Sequence, residues 1–356
     1  MLKMSVRARP AFLVLTAFLF ACASTPEAPT VGPLVYPPPP EEPRFIFERT
    51  LSFSDSVEKA KFSDRLKLLA TGAPKEVRGL TKPYDVAAYK DRVYVTDTVR
   101  KAVVMFDIAG GRYVEFGNEE PGMLVKPAGI AISARDEIFV VDIGANQVLV
   151  YDLDGHYLRS IGGQSQLQRP SDVTLDPTGT RLYIVDAGGV DSQAHAVQVF
   201  DAQTGAFLQT IGKRGQNNGE FNFPLQAAVA PSGKLYVVDS GNFRIQAFNA
   251  DGSFDTTFGS LGRYPGQFAR PKGIATDSAG NIYVVDTAFG NVQIFNGDGQ
   301  LLLFIGDRGQ VGAPGKYMLP AGIDIDENGR VYVVDQFFRK VDIFRPAALP
   351  AKAATP

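Results

Sequence analysis

The segment Arg270–Gly306, RPKGIATDSAGNIYVVDTAFGNVQIFNGDGQLLLFIG, contains four short apolar runs: GIAT, NIYVVD, NVQIFN and LLLFIG. Turn formers separate them, namely DSAGN, a Thr-Ala-Phe-Gly connection and Gly297-Asp298-Gly299. Short apolar runs bounded by Gly, Asn and Asp read as antiparallel strands joined by tight turns. The segment is therefore expected to form one four-stranded sheet.

The same punctuation recurs along the chain. An opening proline stands at Pro83, Pro127, Pro170, Pro224, Pro271 and Pro320, and an Asp closes the second run at Asp97, Asp142, Asp186, Asp239, Asp286 and Asp335. Successive Asp residues lie 45, 44, 53, 47 and 49 residues apart, close to the period of propeller blades. Six registers predict an all-β fold, a six-bladed β-propeller of four-stranded antiparallel blades. Large rings recur at Tyr94, Phe139, Tyr183, Tyr236, Tyr283 and Tyr332 in second strands, and at Phe106, Tyr151, Phe200, Phe248, Phe295 and Phe344 in third strands. A single sheet cannot bury both its faces, so these rings should pack blade against blade. Gly117, Gly162, Gly212, Gly259 and Gly306 end fourth strands where the chain turns back, and each repeated Asp should accept backbone N–H bonds from the adjoining loop.

These repeats resemble the NHL family. Lys126-Pro127-Ala128-Gly129-Ile130-Ala131 and Arg270-Pro271-Lys272-Gly273-Ile274-Ala275 match its opening, and Tyr283-Val284-Val285-Asp286 matches its second strand. The resemblance covers residues 82–345 in six copies. It implies the fold and leaves the chemistry open, because NHL propellers serve as enzymes, RNA binders and protein scaffolds.

The last repeat supplies three strands before a Pro/Ala tail at 346–356, which is expected to be disordered. The alternating stretch at 44–51, RFIFERTL, is expected to return as its fourth strand and close the ring as a clasp, removing two open edges. Between clasp and first blade, residues 57–70 (VEKAKFSDRLKLLA) have helical spacing, with Gly72 as a stop, and should cover an end of the barrel. Residues 44–345 thus form the propeller domain.

Residues 1–21 read as a signal peptide: Lys3, Arg7 and Arg9 precede an apolar run from Ala11 to Phe20 that is too short to span a membrane. Leu19-Phe20-Ala21-Cys22 resembles a bacterial lipobox, which implies cleavage before Cys22 and lipidation there. Cys22 is the only cysteine, so no internal disulfide competes with that role. Ala23 after it resembles the outer-membrane sorting pattern. The expectation is an exported protein, lipid-anchored at the bacterial outer membrane. Residues 22–43 carry eight prolines after the cysteine and should act as an extended tether of up to roughly 60 Å.

A formal net charge of -2 and a pI near 5.8 argue against a general nucleic-acid binder. RNA-binding members of the resembled family use a basic face, and this chain does place Lys82, Lys126, Arg169 and Arg270 before first strands. The six repeated Asp residues belong to the same face, however, which predicts a mixed polar surface there. The opposite hairpins, such as Asp152-Leu153-Asp154-Gly155, look mildly acidic and are explained by turn chemistry.

Enzyme readings meet a shortage of residues. Amidating lyases of similar repeat use a histidine-bound zinc, but the two histidines here, His156 and His195, should lie on opposite faces. Lactonase-like propellers hold calcium on the axis, where this chain offers only Asp85 and Asp172. No catalytic residues, metal or cofactor are therefore expected. The reading that follows is a non-catalytic protein-binding platform for an envelope protein or complex; the alternatives are a hydrolase or lyase at the channel mouth, or binding of a carbohydrate or cell-wall polymer. Candidate binding residues are Tyr84, Asp85, Asp172, Gln226 and Lys272 at the channel mouth, with Arg100, Phe243, Arg244, Phe289, Phe337, Phe338 and Arg339 in the longer loops. Arg paired with aromatics is a composition enriched at interfaces, while packing between blades would explain the same rings. The long connection Ala187–Ala196 in blade 3 is open to either a binding role or a tolerated insertion.

Overall fold

Each blade begins its first strand at the opening proline and ends its second at the repeated Asp. The computed structural model describes residues 32–59, 62–189 and 191–350, and the propeller occupies the unit that begins at Leu34. Blade 5, for example, runs Pro271–Thr276, Ile282–Asp286, Asn291–Phe295 and Leu301–Ile305, hydrogen-bonded in that order. Five sheets have this four-stranded antiparallel form. Proline suits the first position of a strand, where no ladder N–H is needed.

The sixth sheet closes the ring. Its strands Pro320–Ile325, Val331–Asp335 and Lys340–Pro346 are completed by Phe45–Leu51, which pairs from Phe45 opposite Pro346 to Leu51 opposite Val341. The sequence omitted a fifth strand: Val35–Tyr36 pairs with Phe45 and Ile46, and the Tyr36 ring meets Phe344 edge-on at 5.7 Å. The tether expected to run to residue 43 therefore already lies against the sheet at Val35. The expected disordered tail is corrected likewise, since Ala347 N–H donates to Arg44 and Leu349 N–H to Pro346. Cys22, the signal peptide and residues 351–356 lie outside the described residues.

Six apolar clusters hold the ring together, and each lies between two neighbouring blades. Tyr94 and Met105 of blade 1 pack with Ile138, Val140 and Tyr151 of blade 2, and the series ends with Tyr332 and Ile343 of blade 6 against Val93, Val95 and Phe106 of blade 1. All twelve repeated rings are buried. A ring of this size removes well over 100 Å² from water, so the period seen in the sequence is the period of the inter-blade core. The five glycines ending fourth strands all have positive φ, from 75° to 84°. At Gly259 an added Cβ would lie 2.3 Å from the Phe268 ring, so both conformation and space require glycine.

The helix differs from expectation. It spans Phe62–Thr71 rather than starting at 57, a short 3-10 turn at Ser54–Ser56 precedes it, and Gly72 ends it at φ 68°. Phe62, Leu66 and Leu69 are exposed, while Asp64 and Lys67 line a cleft with the blade 1 hairpin at Ile108 to Arg112. Among the described residues no helix is long and apolar enough to cross a membrane.

Candidate functional site

The antiparallel order puts the connections between second and third strands, and between blades, on one side of the disc, here the loop face. The other side carries the hairpins. Each repeated Asp sits under the loop face and ties two loops to it. Asp97 accepts from the N–H groups of Thr81 and Lys82 ahead of the first strand, and from Val99 and Arg100 after the second. Asp142, Asp286 and Asp335 repeat the arrangement. In blade 4 side chains replace some of these donors: Asp239 accepts from Asn242, Arg244 and Gln246.

This arrangement takes the six repeated Asp residues out of the expected mixed polar surface, whose exposed acidic groups are instead Glu119, Glu120, Asp191 and Asp307. All six Asp side chains are buried, so they do not present themselves to a partner. Lys82, Lys101, Lys126, Arg169, Arg263, Arg270, Arg308 and Arg339 remain exposed on the loop face, outside every ion pair of the described residues. Val99, Met123, Val125, Leu261, Tyr264, Val311, Leu319 and Phe337 are exposed among them. Among the described residues, no exposed large apolar side chain falls in a hairpin of the opposite face.

The loop residues singled out from the sequence divide into two groups. Arg100 is committed to a two-pronged pair with Glu115 at 2.7 and 3.0 Å and to the Gly79 carbonyl. Arg244 is committed to Asp239 and to the carbonyls of Asn217 and Glu220. Both therefore act within the fold and are corrected as free recognition groups. Phe337 and Arg339 are exposed, Phe243, Phe289 and Phe338 are half-buried, and none of the four rings enters an inter-blade cluster. Phe243 and Arg339 occupy the left-handed region at φ 56° and 55°, where blade 5 has Gly290. A bulky side chain at positive φ is uncommon, and the tight turn after the anchoring Asp imposes it. In the long blade 3 connection His195 is buried, its ring lies tilted by 47° at 4.8 Å from the Phe223 ring, and its Nδ1 accepts the Phe223 N–H.

The channel-mouth residues come together on the axis. A register break just after each opening proline, a bulge in every first strand, re-aims the two residues that follow it. In blades 2, 5 and 6 the second of these is Gly129, Gly273 or Gly322; in blades 1, 3 and 4 it is Asp85, Asp172 or Gln226. Asp85 Oδ2 accepts the Ile130 N–H of blade 2, and Asp172 Oδ2 the Ala227 N–H of blade 4. Asp324, further down blade 6, accepts the Ala88 N–H of blade 1. These carboxylates staple neighbouring first strands. Above them the Lys272 ammonium of blade 5 sits 4.5 Å over the Tyr84 ring of blade 1. Blades 1 and 5 are not neighbours, so this cation–π contact crosses the axis and closes the mouth. The five axial residues thus form one cluster, which is turned inward and separate from the outer loops.

Burial governs the charges here. Asp85 is pushed up to about 6 and Asp324 to about 7, chiefly by desolvation, while the Lys272 ammonium is pushed down to about 8 for the same reason. Asp172 is raised by burial and then by the neighbouring Asp85 charge, so this pair retains a proton that exposed carboxylates would release. Folding raises these acid pKa values above the unfolded value of about 4, so their contribution to stability is complete below that pH and is lost as pH rises through 6 to 7. The urea midpoint is expected to fall between pH 5 and pH 8. Asp324→Asn, which keeps an oxygen for Ala88 N–H but cannot ionise, should flatten that fall. An unchanged wild-type midpoint over this range, or an equal fall in the variant, would contradict the assignment.

Comparisons with known proteins agree with this architecture. A sequence profile described as "6-bladed beta-propeller" matches residues 75–168 and 273–344, and the NHL repeat profile matches residues 221–248. Protein brain tumor of Drosophila melanogaster is 25% identical over 146 residues, covering 40% of this chain and 13% of that protein. NHL repeat-containing protein 3 of Mus musculus is 26% identical over 229 residues, covering 58% of this chain and 62% of that protein. The chain spans less than two thirds of either relative's length. Among solved structures, a Xanthomonas campestris gluconolactonase superposes with a TM-score of 0.56 at 18% identity, over 75% of this chain and 86% of its own. Virginiamycin B lyase from Staphylococcus aureus gives 0.55 at 13% identity, over 74% and 95%. At these identities the likeness is one of fold.

Proposed function

We propose, on the premise that this chain is a six-bladed β-propeller of NHL-type repeats, that it serves as a non-catalytic binding platform whose working surface is the loop face. The observation that carries this reading is the asymmetry of the disc. Exposed cations and exposed apolar side chains share the loop face, whereas the hairpin face carries short polar turns. An apolar surface whose exposed charges are mostly cationic, with Glu119, Glu120 and Asp191 among them, fits a protein partner with a mainly acidic, partly apolar patch. Cys22 as a lipid anchor, with an envelope protein as partner, completes the proposal. The mouth closed by Lys272 and Tyr84 supports a platform over a hydrolase or lyase acting there.

The test is site-specific photocrosslinking in the native envelope. Crosslinkers at Tyr264 and Phe337, on the loop face, are expected to capture one discrete acidic protein, and a crosslinker at Asp298, in a hairpin, is not. Arg270→Glu combined with Arg339→Glu should abolish the crosslinks at unchanged melting temperature, because both side chains are exposed and outside ion pairs. Arg244→Glu is unsuitable, since it would break the contacts to Asp239. Capture from Asp298 alone, or capture indifferent to the charge reversal, would count against the loop face.

A further inference from the structure

A cleft of about 400 Å³ opens on the loop face over the outer strands of blade 5. Arg263 and Tyr264 line it from the connection that enters the blade and Arg308 from the connection that leaves it. Phe289 lines it from the blade's own loop, with Asn291 and Phe304 from its third and fourth strands. The volume is enough for a side chain and its adjoining backbone.

The gap has a cause in the repeat. The third strand of blade 4 opens on Arg244, opposite Asp239, and its guanidinium donates to Asp239 and to the carbonyls of Asn217 and Glu220 in the preceding connection. Blade 6 has Lys340 in the same register, opposite Asp335, and its ammonium donates to the Ala313 carbonyl and to Asp342. In blade 5 the residue opposite Asp286 is the shorter Asn291. Its Oδ1 is buried and has no donor, so the chain's own groups leave this place unfinished.

The charges around the cleft are also unmatched. Arg308 Nη1 donates to the Ala288 carbonyl at 3.1 Å, which positions the guanidinium without neutralising it. Arg263 and Arg308 are exposed and enter no ion pair of the described residues, and no Asp or Glu lines the cleft. Asp307, next in the chain, is taken by Lys316 at 2.6 Å. Guanidinium groups match the fork of a carboxylate. Tyr264, 78% exposed, and the half-buried Phe289 supply apolar surface beside them. An inorganic anion would bring only further acceptors to Asn291 Oδ1, whereas a peptide brings backbone N–H groups.

We propose that this cleft is where the platform reads its partner: it takes an acidic side chain of an extended peptide segment, with the carboxylate held by Arg263 and Arg308. An apolar side chain next to it in the segment rests on Tyr264 and Phe289, and a backbone N–H of the segment supplies the donor that Asn291 lacks. The inference rests on the platform reading for the existence of a protein partner.

Titration calorimetry on the full chain tests it with the capped peptide acetyl-Gly-Phe-Glu-Gly-amide, and with its Gln counterpart as the matched neutral probe. The acidic peptide is expected to bind one to one, and the Gln peptide at least about tenfold more weakly. Arg263→Gln and Arg308→Gln should each weaken the acidic peptide by about tenfold. Arg263 is exposed and outside ion pairs, so that variant keeps the wild-type melting temperature. Asn291→Arg should abolish binding by filling the gap from within, as Arg244 does in blade 4. No heat with folded wild type at millimolar peptide, equal affinity for the two peptides, inorganic phosphate binding as tightly as the acidic peptide, or wild-type affinity in Arg263→Gln and Asn291→Arg would each overturn the proposal. The peptide measurement needs no native partner, so its failure strikes the cleft alone, whereas failure of the crosslinks at Tyr264 and Phe337 strikes the platform.

Discussion

Asp286→Ala is expected to lower the stability of the propeller by about 4 kcal/mol. The carboxylate is fully buried and accepts the N–H groups of Ala269 and Arg270 on one side and of Ala288 and Phe289 on the other. Alanine leaves four backbone donors without partners. Each buried orphan costs about 1–3 kcal/mol, reduced here because water can reach the outer ones. Asn keeps one acceptor oxygen and should lose about half as much. Asp298→Ala, in an exposed hairpin on the same blade, is the control and should stay within about 0.5 kcal/mol of wild type. Urea unfolding midpoints decide the matter, and equal midpoints for the two alanine variants would mean that the repeated Asp is not what holds the loops.

A chain that starts at Ser52 is expected to fail to fold as a monomer. It lacks Phe45–Leu51, so the backbone of Lys340–Pro346 becomes an open edge and Val341 and Ile343 lose the cover of Leu51. Phe344 also loses the edge-on Phe47 and Tyr36 rings at 5.8 and 5.7 Å. Fully burying one such side chain contributes about 1.5–3 kcal/mol, so these losses together approach the whole stability of a domain. An unpaired hydrophobic edge also invites pairing with another chain. Gel filtration and circular dichroism should show aggregated or unfolded protein, and addition of a peptide spanning residues 34–51 in trans should partly restore the monomer. A soluble, cooperatively melting monomer without that peptide would show that the ring holds without its clasp.

The unexpected strand at Val35–Tyr36 has a simple origin. Val35 and Tyr36 stand in a proline-rich stretch that has no strand pattern of its own, and they form a strand only because the outer edge of Phe45–Leu51 is there to pair with. The helix at Phe62–Thr71 was legible from its spacing, but that Phe62, Leu66 and Leu69 on it stay exposed was not.

The sequence by itself determined the blade count, the strand order, the clasp and the residues of the inter-blade core. Each of these repeats with a fixed period and follows from local turn chemistry or from period-two burial, so a one-dimensional reading suffices. The glycines ending fourth strands and the Asp anchors belong to the same class. Only the tertiary structure decided which charges are free. Arg100 and Arg244 look like Arg339 in the sequence, yet Glu115 and Asp239 hold the first two within the fold. Whether the channel is closed was equally beyond local reading, because Tyr84 and Lys272 lie 188 positions apart and meet only when six blades complete a circle. The axial cavity beneath that contact follows for the same reason: its carboxylates and Gln226 come from separate repeats, and ring closure alone brings them to one axis.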